Sequence, residues 1–316
     1  MTQAASLSTT DPTPGKARGD LRFFSLSLVI GGSPTCNARC PFCIASMTPL
    51  ARSGADFVPA DQAALARVAA FARSASADQV MLTGKGEPTL WPDEISACLE
   101  TLAPFGFGHT DLQTNGVLIA EGKQVGAAHL DRWRAAGLDL IAISMVSTDA
   151  ARNREIYLPY RSSYPDLGAL VTRLHDHGFA VRLATVMLKG YIDSGPKFAE
   201  LIAAARQLGV EQLTARPVTR SANPRTDVVS AYVESHALSD DQRAEIAAVL
   251  DGRPLAASLP GNGRVYDLDG LSVCLADSMT ADDPSLEVGR QLIYYPDGTV
   301  SPSWEDPGVP LEELIR

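Results

Sequence analysis

The sequence predicts an α/β fold in which six successive βα units form an open, partial TIM-like barrel, followed by a small β-rich extension. Short apolar runs alternate with amphipathic segments from about Leu21 to Pro217, and this alternation is typical of a parallel sheet with helical crossovers. A glycine follows four of the predicted helices, as C-terminal helix caps do. Because six units fall short of the eight that close a TIM barrel, we expect an open sheet.

The strands and helices of this core follow from their residue patterns. The predicted strands carry apolar runs such as SLSLVI and LDLIAIS, which suit buried parallel strands. They are Phe23–Ile30, Gln79–Thr83, Thr110–Thr114, Leu138–Ser144, Ala180–Leu188 and Gln212–Pro217. The helical patterns are Asp61–Ala75, Pro92–Leu102, Glu121–Ala136, Tyr164–His177 and Gly195–Leu208. The capping glycines are Gly106, Gly137, Gly178 and Gly209. In such a fold the functional side chains lie at the C-terminal ends of the strands.

The regular alternation ends after the sixth strand. Ser221–Ser235 is polar and is expected to be a loop, suited to covering a substrate. Ser239–Leu250 has the pattern of a capped helix. Two hairpins, Val265–Cys274 and Leu292–Val300, are predicted from strand patterns that flank Asp-Gly turns.

The chain therefore divides into three predicted parts. A polar tail covers residues 1–20, the barrel core covers 21–220, and an extension that caps the barrel mouth covers 221–316. The tail is rich in Thr and Pro and is expected to be disordered.

Charge and composition argue against several classes of function. Lys and Arg number 27 against 37 Asp and Glu, a formal net charge of −10, whereas broad nucleic-acid binding needs a basic surface. No apolar run approaches the roughly 20 residues of a membrane span. The N-terminus lacks the apolar segment of a signal peptide. We therefore expect a cytoplasmic protein that binds neither nucleic acid nor a membrane.

Three of the five cysteines lie within eight residues, directly after the first strand. Cys36, Cys40 and Cys43 form a C-x3-C-x2-C loop, and thiolates are the usual ligands of iron–sulfur clusters. Three ligands leave one iron open, and an open iron can bind a chelating substrate. The alternative is a zinc site with a fourth ligand elsewhere, although the sequence has neither a second C-x2-C pair nor histidines at zinc-finger spacing.

A second motif, Gly84-Lys85-Gly86-Glu87-Pro88, ends the second predicted strand. Glycines at this point let the backbone approach a ligand closely. The alternative interpretation is a tight strand-to-helix turn with an exposed glutamate.

The cysteine loop resembles that of the radical S-adenosylmethionine (SAM) superfamily, and the likeness covers roughly residues 21–217. The resemblance implies a [4Fe–4S] cluster on Cys36, Cys40 and Cys43, with the amino and carboxylate groups of SAM on the open iron. It implies that Phe42, the aromatic residue before the third cysteine, lies near the adenine. The partial barrel of that superfamily agrees with the strand count.

The same resemblance implies SAM contacts at three other strand ends. Gly84, Gly86 and Glu87 match a GxGEP motif that contacts the SAM amino group. Asn115 and Ser144 end the third and fourth strands, where family members use polar side chains for the ribose and carboxylate. An Asn-Gly turn is the alternative for Asn115.

Two arginines interrupt otherwise apolar strands. Arg182 lies on the fifth strand and Arg216 on the sixth. A buried charge is costly unless it is paired or faces a polar cavity. Each arginine is therefore a candidate to bind the carboxylate of SAM or of the substrate, with a structural salt bridge as the alternative.

The remaining cysteines differ in their surroundings. Cys98 lies on an apolar helix face and is assigned to the core. Cys274 closes a predicted strand of the extension, and a thiol S–H bond is weak enough to give a hydrogen atom to a carbon radical. In this respect the chain resembles small single-cluster epimerases of natural products, such as neomycin C epimerase. The alternative for Cys274 is a buried core residue.

An acidic, aromatic group near the C-terminus is compatible with a cationic substrate. Asp297, Trp304, Glu305 and Asp306 offer ion pairs and cation–π contacts to an amine. A solvated acidic segment is the alternative.

The sequence thus predicts a single-cluster radical SAM enzyme that cleaves SAM reductively and removes a hydrogen atom from a small natural-product molecule. Epimerisation with Cys274 as hydrogen donor is the favoured outcome. Oxidation, elimination and peptide modification are the alternatives, and a non-catalytic metal-binding protein is the alternative of another class. The chemistry requires a reducing partner, of the flavodoxin or ferredoxin type.

Overall fold

The computed structural model describes residues 22–32, 34–48, 57–221, 227–259, 262–276, 289–306 and 308–315. Within these ranges the strands form a single twelve-stranded sheet. The predicted tail lies outside the described residues, so the structure leaves that prediction untested.

The strands and helices have the following bounds. The strands are β1 (Phe23–Val29), β2 (Gln79–Thr83), β3 (His109–Thr114), β4 (Leu140–Met145), β5 (Ala180–Met187), β6 (Gln212–Pro217), β7 (Leu255–Leu259), β8 (Gly263–Leu268), β9 (Leu271–Leu275), β10 (Gly289–Tyr294), β11 (Thr299–Ser301) and β12 (Val309–Pro310). The helices are α1 (Ile44–Met47), α2 (Gln62–Ser74), α3 (Pro92–Leu102), α4 (Val117–Glu121), α5 (Ala127–Ala135), α6 (Ala150–Tyr157), α7 (Leu167–Asp176), α8 (Gly195–Leu208), α9 (Asp227–His236), α10 (Asp240–Ala248) and α11 (Leu311–Ile315).

The order of strands across the sheet is β12-β11-β10-β1-β2-β3-β4-β5-β6-β9-β8-β7. Strands β1 to β6 pair in parallel in chain order. The C-terminal part then adds a parallel strand at each end of this set, β10 beside β1 and β9 beside β6. The two outermost strands, β7 and β12, do not pair with each other. The predicted open, partial barrel is therefore confirmed.

The sequence pattern located all six core strands to within two residues, because each one is a buried apolar run. The predicted capping glycines also have the left-handed backbone that caps require. The outer face of the sheet is covered by the helices, and α2 places Leu65, Val68 and Ala72 against it at helical spacing. Cys98 is fully buried in the same core, as predicted.

The prediction of one long helix over Glu121–Ala136 was wrong. The structure has two helices, α4 and α5, with a break between them at residues 122–126. Gly122 adopts φ 68° and ends α4, and Gly126 begins α5 from an extended backbone. Two glycines this close interrupt a helix because each lowers helix propensity by roughly 1 kcal/mol.

The prediction of a polar loop over Ser221–Ser235 was also wrong for its described part. Residues 227–236 form α9, while 222–226 lie outside the described residues. Val233 is buried in a cluster with Phe42 and Tyr157, and Val229 and Tyr232 pack against the same cluster. The prediction of a polar loop overlooked these apolar residues.

Helix α6 was not predicted at all. It begins at the N-cap Asp149, whose carboxylate accepts a hydrogen bond from Ala151 N at 2.7 Å. Of its residues only Ile156 and Tyr157 give an apolar signal and are buried, which is too few for a periodic pattern. None of the helices in the described ranges has both the length and the apolar character needed to cross a bilayer.

Candidate functional site

A cavity of about 550 Å³ extends from the loops that follow β1, β2 and β3 into the space between the strands. The residues that the sequence analysis assigned to the cluster, to SAM or to hydrogen donation all contribute to its lining, whereas Asp297, Glu305 and Asp306 of the acidic group do not. Those that line it are Cys36, Cys40, Phe42, Cys43, Gly84, Gly86, Glu87, Asn115, Ser144, Arg182, Arg216 and Cys274. The structure therefore brings the predicted site residues together, although it does not by itself test the role of each.

The cysteine loop follows β1 and is folded back on itself by backbone hydrogen bonds. Cys43 N donates to Cys40 O at 3.2 Å, and α1 begins directly after Cys43. Arg39 N donates to Tyr157 O at 2.9 Å, which fixes the loop to the end of α6. Cys36 is exposed, whereas the other two thiols are half-buried.

The thiols are grouped closely enough to influence one another's ionisation. Burial raises the pKa of Cys40 well above its ordinary value, and the neighbouring Cys43 and Cys36 raise it further. A compensating cation is therefore needed to hold these groups as thiolates. Within the described ranges no three His, Cys, Asp or Glu side chains converge on a point suited to one metal ion. A four-iron cluster instead takes each thiolate on a separate iron, and the grouped donor set fits that arrangement.

The GKGEP turn after β2 packs against the cysteine loop. A Cβ atom at Gly86 would lie only 1.9 Å from Thr35 O, so any other residue would push the two segments apart. Glu87 N donates to the same Thr35 oxygen at 3.1 Å. The glycine in this motif is therefore required for the contact between turn and loop.

The carboxylate of Glu87 is buried and accepts hydrogen bonds from its own chain. Its Oε1 receives Thr89 N at 3.1 Å and the hydroxyls of Thr89 and Thr114 at 2.6 Å each. Its Oε2 receives Asn115 N at 2.9 Å. Burial raises the pKa of Glu87 above its ordinary value despite these donors. The structure thus shows a carboxylate that joins the ends of β2 and β3, a role that the sequence did not suggest. Its contact with SAM stays a prediction.

Asn115 carries this connection on to the cysteine loop. Its Nδ2 donates to Asn37 Oδ1 at 2.7 Å, and its Oδ1 accepts Val117 N at 3.1 Å. The backbone oxygen of Asn37 also accepts the hydroxyl of Tyr160. Asn37 was not singled out from the sequence, although it lies within the cysteine motif.

Phe42 lies in an aromatic wall of the cavity. Its ring packs edge-on against Tyr157 with 6.2 Å between the ring centroids, and both side chains are buried. Tyr157 was missed because α6 was missed, and the N-cap Asp149 was the one local signal for that helix.

Lys85, the variable position of the GxGEP motif, is buried beside the C-terminal segment. Its Nζ donates to Thr48 Oγ1 at 2.8 Å and lies 4.9 Å from the ring centroid of Trp304 and 5.9 Å from that of Tyr295. Trp304 therefore already has a cation partner within the chain.

Two other members of the acidic group also have internal contacts. Asp297 Oδ1 accepts Thr299 N at 3.1 Å and Thr299 Oγ1 at 2.7 Å, and Glu305 accepts the hydroxyl of Ser221. The geometry gives this group structural partners, so its use by a cationic substrate stays a prediction.

The two predicted arginines have different surroundings. Arg182 is 2.5 Å from Asp111 Oδ2 and donates to Gln212 Oε1 at 2.8 Å, which is the salt-bridge alternative. Arg216 has neither an ion pair nor a hydrogen bond with any residue that the structure describes. Ser144 points into the same cavity from β4.

Cys274 lies on β9 opposite Thr214 of β6 and lines the cavity. Burial raises the pKa of its thiol, an effect that the positive charges of Arg216 and Arg182 oppose without cancelling. The thiol is therefore protonated at neutral pH, and the structure places it at the cavity wall and only half-buried.

An open parallel barrel with three cysteines on its first loop defines the class of enzymes that place an iron–sulfur cluster at the C-terminal ends of the strands. Residues 30–210 match the Radical SAM superfamily. The match covers more than half of the chain, and the chain therefore belongs to the radical SAM superfamily, whose members use a [4Fe–4S] cluster and SAM.

Two kinds of curated relatives are similar to this chain. One is the PqqA peptide cyclase of Methylorubrum populi, 31% identical over 204 residues, which are 64% of this chain and 48% of that protein. Another is the GTP 3',8-cyclase of Edwardsiella ictaluri, 30% identical over 176 residues, with 54% and 48% covered. The chain thus spans about half the length of these relatives. They are cyclases, so the likeness to neomycin C epimerase and the epimerase assignment are not supported.

Solved structures support the fold. The structure of Streptococcus suis SuiB bound to S-adenosylmethionine matches with a TM-score of 0.56 and 16% identity, over 90% of this chain and 61% of that one. Native anSMEcpe with bound AdoMet matches with a TM-score of 0.54 and 13% identity, over 92% and 81%.

Proposed function

We propose that this radical SAM enzyme removes a hydrogen atom from a peptide held in the cavity. The observation that carries the proposal is the continuity of the cavity from the cysteine loop to the inward-facing side chains of β5, β6 and β9. Its volume is within the range of roughly 300–1,000 Å³ that is usual for ligand sites. The similarity to PqqA peptide cyclases supports a peptide over the small natural-product molecule expected from the sequence.

In this proposal the residues of the chain have separate tasks. Cys36, Cys40 and Cys43 hold the cluster, and Glu87 and Asn115 fix the loop that carries them. When bound, the cluster and SAM supply a 5′-deoxyadenosyl radical after one electron arrives from a flavodoxin- or ferredoxin-like donor.

Other residues enclose the reaction. Phe42 and Tyr157 exclude water from this end of the cavity. Gly84, Gly86 and Ser144 contribute to the SAM surface. The described part of the extension contributes to the cavity wall through residues such as Val265 and Trp304. We also propose a cytoplasmic location, where thiols stay reduced.

Transfer of deuterium from a substrate to 5′-deoxyadenosine tests the proposal. Reconstituted enzyme, SAM and reductant would be incubated anaerobically with peptide and small-metabolite fractions from cells grown in heavy water. Removal of a deuterium atom from a substrate carbon gives deuterated 5′-deoxyadenosine, which mass spectrometry detects. We expect it from the peptide fraction. Deuterated product from the small-metabolite fraction alone would contradict the peptide assignment, and its absence from both fractions would contradict hydrogen abstraction.

Epimerisation remains a second candidate because Cys274 lines the same cavity with a protonated thiol. A substrate carbon radical would take the hydrogen atom of the S–H bond from the opposite face. The resulting thiyl radical would return to the thiol with one electron from the reducing partner and one proton from solvent.

The Cys274→Ala variant separates this candidate from simple abstraction. If Cys274 is the donor, the variant still forms 5′-deoxyadenosine but does not complete the inversion. In heavy water the wild-type product gains one deuterium at the inverted carbon, since the thiol proton exchanges with solvent. If Cys274 has a structural role only, the variant loses about 1–2 kcal/mol of stability and makes the normal product. Cys98→Ala is the matched control, because that thiol is buried in the core away from the cavity.

A further inference from the structure

Three arginines meet at the inner part of the cavity, and we call Arg182, Arg216 and Arg290 the arginine group. All three line the cavity. They come from β5, β6 and β10, three strands that the sheet holds in fixed register. The group is therefore positioned by the barrel itself and not by a mobile surface loop.

Within the described ranges, the arginine group has one ion pair. Arg182 is paired with Asp111, whose other carboxylate oxygen is buried without a hydrogen-bond partner in the described structure. Arg290 lies close enough to Arg216 for its charge to lower the pKa of that guanidinium, an effect second only to burial. The carboxylate of Asp111 and the thiol of Cys274 oppose this lowering, and Asp111 is already engaged by Arg182.

Arg216 is the member of the arginine group whose positive charge has no partner among the described residues. No hydrogen bond or ion pair connects its guanidinium to any residue that the structure describes. Burial and the neighbouring arginines lower its pKa to about 10, so it still carries a charge at neutral pH. An enclosed charge without a partner is costly, and a planar guanidinium that faces a cavity is suited to two parallel hydrogen bonds from an oxyanion.

We infer that Arg216, with Arg290 beside it, binds a carboxylate of the substrate. The inference rests on the proposed function and narrows its substrate class to one with an acidic group, such as a peptide with an Asp or Glu side chain. The occupant balances the positive charge of Arg216 and fixes the substrate relative to the cysteine loop. This assignment replaces the cationic substrate that the sequence suggested.

The reactivity of the Cys274 thiol reports the charge at this site and can be measured without catalytic turnover. It lines the same cavity, and the charges of all three arginines act on its thiol. Iodoacetate and iodoacetamide both react with the thiolate but differ in charge. Both rates depend equally on the fraction of the cysteine that is thiolate, so this fraction cancels in their ratio. The ratio therefore reports how strongly the surroundings of that cysteine attract a carboxylate. Mass spectrometry of the peptide that contains Cys274 gives both rates in the reconstituted enzyme.

We expect the iodoacetate-to-iodoacetamide ratio at Cys274 to exceed that of glutathione by on the order of tenfold, the lower end of the range for focused charge. Arg216→Gln should bring the ratio close to that of glutathione, and Arg216→Lys should restore part of it. Lys189→Gln is the matched control, since it removes one positive charge from an exposed position outside the cavity lining. Arg290→Gln serves as a second variant if Arg216→Gln fails to fold.

Two results would overturn the inference. One is a ratio at Cys274 equal to that of glutathione, or unchanged in both Arg216→Gln and Arg290→Gln. The other is loss of the iodoacetate preference on addition of SAM, which would assign the arginine site to the carboxylate of SAM. Retention of the preference with SAM bound supports a substrate carboxylate. The alkylation measurement does not require hydrogen abstraction. Its result can therefore be interpreted even if the peptide proposal fails.

Discussion

Replacement of Cys36, Cys40 or Cys43 by alanine is expected to abolish SAM cleavage. Each substitution removes one of three thiolates that the loop after β1 brings to the cavity, and no other cysteine in the sequence is close along the chain. The wild-type protein, reconstituted anaerobically, should be brown and hold about four irons per chain, as a thiolate-bound [4Fe–4S] cluster requires. Iron analysis and the yield of 5′-deoxyadenosine are the measurements.

The control for this series is Cys98→Ala. Cys98 is the fully buried cysteine of α3, so its loss should lower stability while iron content and SAM cleavage persist. Colourless wild-type protein that holds one zinc per chain and retains full activity would refute the cluster assignment. So would a Cys→Ala variant of the loop with normal iron and normal SAM cleavage.

Replacement of Glu87 by alanine is expected to have the second largest effect. It removes the acceptor of four hydrogen bonds and leaves donors on Thr89, Thr114 and Asn115 without their partner. Since an unsatisfied buried donor costs about 1–3 kcal/mol and the hydroxyls can reorient, we expect a loss of about 2–4 kcal/mol. Urea unfolding measures this loss.

Glu87→Gln separates the structural role of this residue from its predicted contact with SAM. The glutamine keeps an oxygen at Oε1 and so retains three of the four hydrogen bonds. It should therefore recover most of the stability and bind normal amounts of iron. If the carboxylate contacts the amino group of SAM, SAM binding weakens in this variant. Unchanged SAM affinity would leave Glu87 with its structural role alone. Glu100→Gln, at an exposed ion pair with Arg132, is the control with little expected effect.

The pH dependence of stability gives Glu87 a further signature. Its pKa is raised in the folded protein, so between the ordinary value of 4.5 and the folded value the native state binds more protons than the unfolded state. The contribution of Glu87 to stability is thus full below pH 4.5 and is lost as the pH rises through the folded value. Glu87→Gln should lack this decline. Parallel pH profiles for the two proteins would contradict the raised pKa.

Much of the barrel could be predicted because its signals are local. The six core strands are continuous apolar runs, and the cluster cysteines lie within eight consecutive residues. The elements that were missed have weaker local signals. Helix α6 has only two buried apolar residues besides its N-cap Asp149, and the apolar residues of α9 follow a polar stretch of the sequence. The parallel pairing of β9 and β10 with the core depends on contacts between distant segments, which periodicity does not report.

In the candidate site, too, local motifs could be predicted and contacts between distant segments could not. The lining residues were recognised where a motif carried them, as with Cys36 and Glu87. The contacts that hold the motif were not, since Lys85 meets Trp304 and Phe42 meets Tyr157 only after the chain has folded. Arg216 was identified as a charge in an apolar strand, but its lack of a partner was visible only in three dimensions.

The pairing of β1 with β10 has a consequence for how the protein reaches its native state. Ser25 of β1 bonds to Arg290 of β10 across a sequence separation of 265 residues. Contacts of such high contact order form slowly, because a very long loop must close first. During translation β1 leaves the ribosome early, yet one of its edges stays unpaired until β10 has been made. One wall of the cavity around the cysteines that follow β1 therefore forms last. Until then, one edge of β1 is open and prone to aggregation. Completion of the sheet beside β1 is thus a late event in folding.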